Sequence, residues 1–147
     1  MKFLNTMLVG SLVIFSGSAL AESYEVQMLN TGEDGVMVFE PAVLSINPGD
    51  SVTFKATNPG HNSESMQEMM PEGAQGWKGS MGQDVTVTFD QDGVYVYQCT
   101  PHLMMAMVGV IKVGSGPNLE AIKTAATGKK AAFMMAQDRL DDYLNQL

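Results

Sequence analysis

Short runs of alternating apolar and polar residues recur along this chain of 147 residues, and a turn signal closes each of them. A period of two puts one side of an extended segment into a core and the other into water, whereas on a helix the same pattern would scatter apolar residues around the axis. Residues 24–29 set Val26 and Met28 against Glu25 and Gln27. Residues 51–57 set Val52 and Phe54 against Thr53 and Lys55, and residues 84–89 set Val85, Val87 and Phe89 against Thr86 and Thr88. The turns between runs are residues 31–35, Asn47-Pro48-Gly49-Asp50 and Asp92-Gly93. Further strands are predicted over 36–39, 43–46, 94–98 and 107–113. Residues 58–82 break the pattern and read as a long loop with room for one helical turn.

The composition shifts after Pro117. Asn118 reads as the cap of a helix carrying Leu119, Ile122 and Ala126, ended by Gly128. Phe133, Ala136, Leu140, Leu144 and Leu147 follow at spacings of 3, 4, 4 and 3. This amphipathic stripe is predicted to pack on the strands rather than on a membrane. The fold class that results is all-β: a β-sandwich over 22–117 with two C-terminal α-helices over 118–147.

The first 21 residues read as an export signal. Lys2 gives a positive start, Met7 to Phe15 are mostly apolar, and Ala19-Leu20-Ala21 supplies small residues for cleavage. The apolar run falls short of the roughly 20 residues that span a bilayer. No other segment approaches that length, so the exported form is expected to need no membrane. Export to an oxidising compartment makes one count conspicuous. Cys99 is the only cysteine, so no internal disulfide can form and its thiol needs another use.

Charge is distributed unevenly. The chain has 16 acids and 8 bases. Loss of residues 1–21 would remove one base, leaving 7 against 16 and a net charge of −9. Residues 118–147 hold four of each sign, so the excess belongs to the sandwich, where only Lys55, Lys78 and Lys112 are basic. Such a surface repels phosphate backbones and argues against nucleic acid as a partner.

Cys99-Thr100-Pro101-His102 lies between two predicted strands, with Met107 just before the second and His61 after an upstream strand. Two imidazoles, one thiolate and a distant thioether are the ligand set of a blue-copper electron-transfer site. Thiolate suits Cu(I), and imidazole suits both oxidation states. Zinc stays open, because a Cys/His/His set with a free position also suits that ion. A c-type haem is excluded, since Cys-x-x-Cys-His is absent. Cys99 as an enzyme nucleophile with His102 or His61 as base has no supporting signature around it, so the chain reads as a non-enzyme. Met66, Met69 and Met70, with Met104, Met105 and Met107, leave a second reading as a Met-rich copper chaperone or store.

The residues resemble those of the cupredoxins. The matching stretches are 37–41, 47–50, Gly60-His61-Asn62, 70–74 and Cys99-Thr100-Pro101-His102 with Met107. The two-helix extension is similar to that of one branch of the family. The resemblance implies an eight-stranded Greek-key sandwich with one type 1 copper held by His61, Cys99, His102 and Met107. It also implies a periplasmic monomer passing electrons to a redox protein such as a copper nitrite reductase or a cytochrome.

By position, the two histidines would bind through Nδ1 and Met107 would be the long axial ligand. Asn62 would tie the two ligand loops together, Pro101 would stand next to the ligands, and Met37 would lie beside the ring of His102. Pro101, Leu103, Met104 and Met105 would form an apolar docking patch, with Ala106 allowing close backbone approach. That branch commonly rings the patch with lysines. Here Lys78 is kept, while Thr31, Pro59 and Gln98 stand at the other positions. The departure points to docking by apolar contact, or to a basic or weakly charged partner.

Overall fold

Each alternating run becomes a strand of one of two four-stranded sheets. The computed structural model describes residues 20–147, so the expected export signal falls outside the described residues except for Leu20 and Ala21, both exposed. The strands are β1 (Ser23–Gly32), β2 (Gly35–Glu40), β3 (Val43–Ile46), β4 (Asp50–Lys55), β5 (Glu64–Ser65), β6 (Val85–Phe89), β7 (Gly93–Gln98) and β8 (Val108–Val113). One sheet has the order β2-β1-β4-β6 and the other β3-β8-β7-β5. Both are mixed, because β1 runs parallel to β4 and β3 parallel to β8. Among the described residues no helix is long and apolar enough to cross a membrane.

The first sheet buries one face. Val26, Met28, Val52 and Phe54 point inward and meet Tyr95, Tyr97, Ile111 and Val113 of the second sheet. Phe39 and Phe54 set their rings edge-on to Tyr97, at 4.7 and 4.9 Å between centroids. Gly109 makes room for this arrangement, because a Cβ there would strike the Tyr97 ring. The turn before β4 also needs its glycine. Gly49 takes a left-handed φ of 95°, and the Asp50 N–H closes the turn on Asn47 O at 3.1 Å.

The second sheet is buried on both faces. Val94, Val96, Val108 and Val110 alternate with the residues above and face a second cluster. The C-terminal extension supplies the other side of that cluster with Ile122, Ala126, Phe133, Leu140, Tyr143 and Leu144. Full burial of each large apolar side chain contributes roughly 1.5–3 kcal/mol. This is why the extension lies on the sheet, as its stripe predicts.

Three expectations need correction. The first concerns Gly128, which does not end the helix. Helix α1 (Leu119–Lys129) runs through it and continues as a 3₁₀ turn over Lys130–Ala132. Glycine stops a helix by turning left-handed, whereas here the capping Lys130 stays right-handed and its N–H reaches Ala126 O.

The second concerns the apolar stripe, which is not one helix. Helix α2 covers only Arg139–Leu144. The Met134 N–H donates to Met104 O at 2.8 Å, outside the extension, and Ala136 turns left-handed at φ 47°. Phe133, Leu140 and Leu144 are buried, whereas Ala136 is exposed.

The third concerns Asn118. It holds the N-cap position but makes no side-chain cap. Its amide instead accepts from Val94 N–H at 2.6 Å and donates to Val94 O at 3.0 Å.

Candidate metal centre

The loop between β7 and β8 folds back because those strands pair antiparallel, with Gln98 opposite Val108. Cys99 N–H donates to Met107 O at 3.0 Å, and Met107 N–H returns to His102 O at 3.2 Å. His102 N–H donates to Cys99 O at 3.1 Å. Pro101 opens the 3₁₀ turn Thr100–Met105, where a missing N–H costs nothing. The spacing of Cys99, His102 and Met107 thus becomes one tight loop. His61 approaches from the segment after β4.

The three donor atoms face one another. His61 Nδ1 lies 3.1 Å from His102 Nδ1, and Cys99 Sγ lies 3.7 Å from His61 Nδ1 and 3.4 Å from His102 Nδ1. The point equidistant from the corners of such a triangle is about 2 Å from each, within the range of metal–nitrogen bonds at comparable sites. His61 and Cys99 are fully buried, and His102 is half-buried. Met107 is fully buried in the same core cluster as Cys99. Burial pushes the Cys99 thiol pKa up, and burial together with the charge of His102 pulls that of His61 down. Without a metal the pocket therefore favours a neutral thiol and a neutral imidazole. A bound cation displaces the thiol proton, so binding releases protons. A soft thiolate with two imidazoles fits copper.

The surrounding hydrogen bonds orient these donors. His61 Nε2 lies 2.8 Å from Asn30 Oδ1, a carbonyl oxygen that only accepts. The proton therefore sits on Nε2, and the Nδ1 lone pair faces the cluster. Asn62 joins the segment that carries His61 to the one that carries Cys99 and His102. Its Oδ1 accepts from Thr100 N–H at 2.8 Å, and its Nδ2 donates to Thr100 Oγ1 at 2.9 Å and Gly79 O at 3.3 Å. The Thr100 hydroxyl donates to Glu64 Oε2 at 2.6 Å, and Lys78 binds Glu64 Oε1 at 2.9 Å. The Thr100 bond first, and then Lys78, hold Glu64 below the usual carboxylate range.

Other expected residues divide. Pro101 and Met104 are exposed and Leu103 and Met105 half-buried, so the loop does present an apolar surface beside His102. Ala106 is fully buried and takes no part in that surface. Lys78 is exposed, but Glu64 offsets its charge. Met37 is half-buried against the cluster that holds Cys99 and Met107, with a left-handed φ of 51°. Met66, Met69 and Met70 are buried core residues and expose no thioether cluster. The pattern of runs and turns gave no sign of Asn30, which reads as a polar residue at a strand end, or of Arg139, which reads as a surface charge.

Residues 26–114 match the plastocyanin/azurin family of copper binding proteins. A pseudoazurin of Paracoccus pantotrophus is 41% identical over 138 residues, which cover 93% of this chain and 92% of that one. The solved pseudoazurin of Methylobacterium extorquens AM1 is 42% identical with a TM-score of 0.77, covering 84% of this chain and 98% of that one. The native pseudoazurin of Hyphomicrobium denitrificans is 32% identical with a TM-score of 0.73, covering 85% and 98%.

Proposed function

The chain belongs to the pseudoazurins, within the plastocyanin/azurin family of copper-binding proteins, and on that premise we propose that it is exported to the periplasm and hands single electrons to a redox protein. It is a blue-copper electron carrier with one type 1 copper, and not an enzyme. The partner in this reading is a copper nitrite reductase or a cytochrome, met transiently by a monomer. The reading divides the chain into an export signal over 1–21, a sandwich over 22–117 and a helical extension over 118–147.

The observation that carries it is the triangle of Cys99 Sγ with the two imidazole Nδ1 atoms. His61, Cys99 and His102 would hold the ion, with Met107 as a fourth ligand. Bound copper supplies the one-electron couple between Cu(II) and Cu(I). The chain supplies a rigid pocket, closed to water at His61 and Cys99 and reaching the surface at His102. The burial of Met66, Met69 and Met70 favours this reading over a Met-rich chaperone.

Met104, 57% exposed, and Pro101 lie beside His102 and suit apolar docking. The paired Lys78 gives little steering toward an acidic partner, so the rate of transfer to such a partner should not fall steeply with salt. Met104→Lys should slow transfer to the partner about tenfold while leaving the blue absorption intact. An unchanged rate would remove the patch from the docking surface. A steep fall with salt toward an acidic partner would overturn apolar docking.

A further inference from the structure

Three non-glycine residues among the described residues have left-handed backbones: Met37, Ala106 and Ala136. Each costs roughly 1 kcal/mol and persists only where its surroundings over-determine it. They come from three separate segments: β2, the ligand loop and the C-terminal extension. Their carbonyls converge on one residue. Arg139 Nη1 donates to Met37 O at 3.1 Å and to Ala106 O at 3.0 Å, and Arg139 N–H donates to Ala136 O at 3.0 Å.

The guanidinium reaches further. Met105 O lies 3.2 Å from Nη1, Asp34 O 3.0 Å from Nη2, and Val36 O within 3.4 Å of both nitrogens. Five carbonyl oxygens thus surround a buried cation that forms no ion pair among the described residues. Met134 N–H takes Met104 O as well, so three consecutive carbonyls of the ligand loop, from Met104 to Ala106, accept donors from the extension.

We propose that Arg139 is a positioning residue for the metal centre: it clamps the carbonyls that set the path of the Cys99–Met107 loop, and so fixes His102 and Met107 relative to Cys99. The proposal rests on the reading of His102 and Met107 as ligands. Arginine suits the task because the N–H donors of its two Nη nitrogens fan out in one plane toward all five carbonyls, some of them shared, and the group never deprotonates. Lysine carries the same charge at a point and cannot bridge β2 and the ligand loop equally well. A donor set held this way keeps one geometry in both oxidation states, which a one-electron carrier needs.

The test is amide hydrogen exchange of the metal-free protein, read residue by residue. Arg139→Met should speed exchange at Ala106 and Met107 about tenfold more than at the β1–β4 pair. Arg139→Lys, which keeps a buried cation and should fold, gives an intermediate ratio. Equal acceleration in loop and sheet, or none in the loop, would reduce Arg139 to a general stabiliser and overturn the proposal. In the copper-loaded Lys variant the relative intensities of the thiolate-to-copper bands and the reduction potential should both shift. A loosened loop with unshifted bands would overturn the link to the ligands. Copper-loaded wild type without intense thiolate absorption would instead sink the ligand reading and leave the exchange result standing.

Discussion

The two segments that converge on the donor set are anchored by different chemistry. Upstream, side chains do the holding: Asn30 accepts a hydrogen bond from His61 Nε2–H, Asn62 bridges to Thr100, and Glu64 ties Thr100 to Lys78. Downstream, backbone carbonyls do it, with donors lent by Arg139 and Met134 of the extension. Side-chain anchors act on one ring or one peptide at a time. Carbonyl anchors act on the course of a whole loop, and they stay in place only while the extension stays packed. Damage upstream should therefore show first at a single ring or peptide, and damage downstream first in the course of the loop and the packing of the extension.

The largest expected effect breaks the downstream side. Phe133 is buried where the extension meets the second sheet, and Phe133→Ala should cost about 3–5 kcal/mol in urea unfolding of the metal-free protein. A loss below about 1 kcal/mol would mean that the extension is not held by its packing. Next in size is the upstream side. Asn30→Ala removes the acceptor that fixes the His61 tautomer and should weaken copper binding about 10–100-fold with little change in unfolding. Equal affinity in a competition titration would show that the ring needs no such partner.

The smallest effect sharpens the contrast. The folded-state pKa of Glu64 lies below its ordinary value, so its stabilisation is complete above the unfolded pKa and is lost as pH falls through the folded one. Wild type should therefore lose its advantage over Glu64→Gln across that acid window, by under about 1 kcal/mol. The downstream contacts are to carbonyls and have no such dependence. Parallel acid profiles for the two proteins would remove Glu64 from the upstream anchor.

Much of this was legible in the residues, and the failures share a cause. Runs with one wet face, such as Val52 and Phe54 against Thr53 and Lys55, announce both strand and orientation. The Cys99–His102–Met107 spacing announces the loop, because its ligand types are scarce in this chain. The short strand β5 has only two residues, too few to show a period. Gly128 has the composition of a stop but lacks the left-handed turn that would make it one. The apolar stripe after residue 130 is real as packing and wrong as a continuous helix, because Met134 gives its N–H to another segment. Arg139 and Asn30 are the clearest cases. Their roles are defined by what surrounds them, and no local pattern encodes that.

Asn118 shows what one misplaced cap can do. Both backbone groups that Val94 turns away from β8 are taken by this one amide. Strand β5 covers β7 only at Tyr97 and Gln98, and Met66 N–H covers Val96 O. The opening residues of β7 would otherwise present a bare sheet edge, a template on which another chain can add a strand. The Asn118 side chain occupies that edge in place of a ninth strand. A second copy of the chain therefore finds no free backbone at Val94 to pair with, however concentrated the protein becomes.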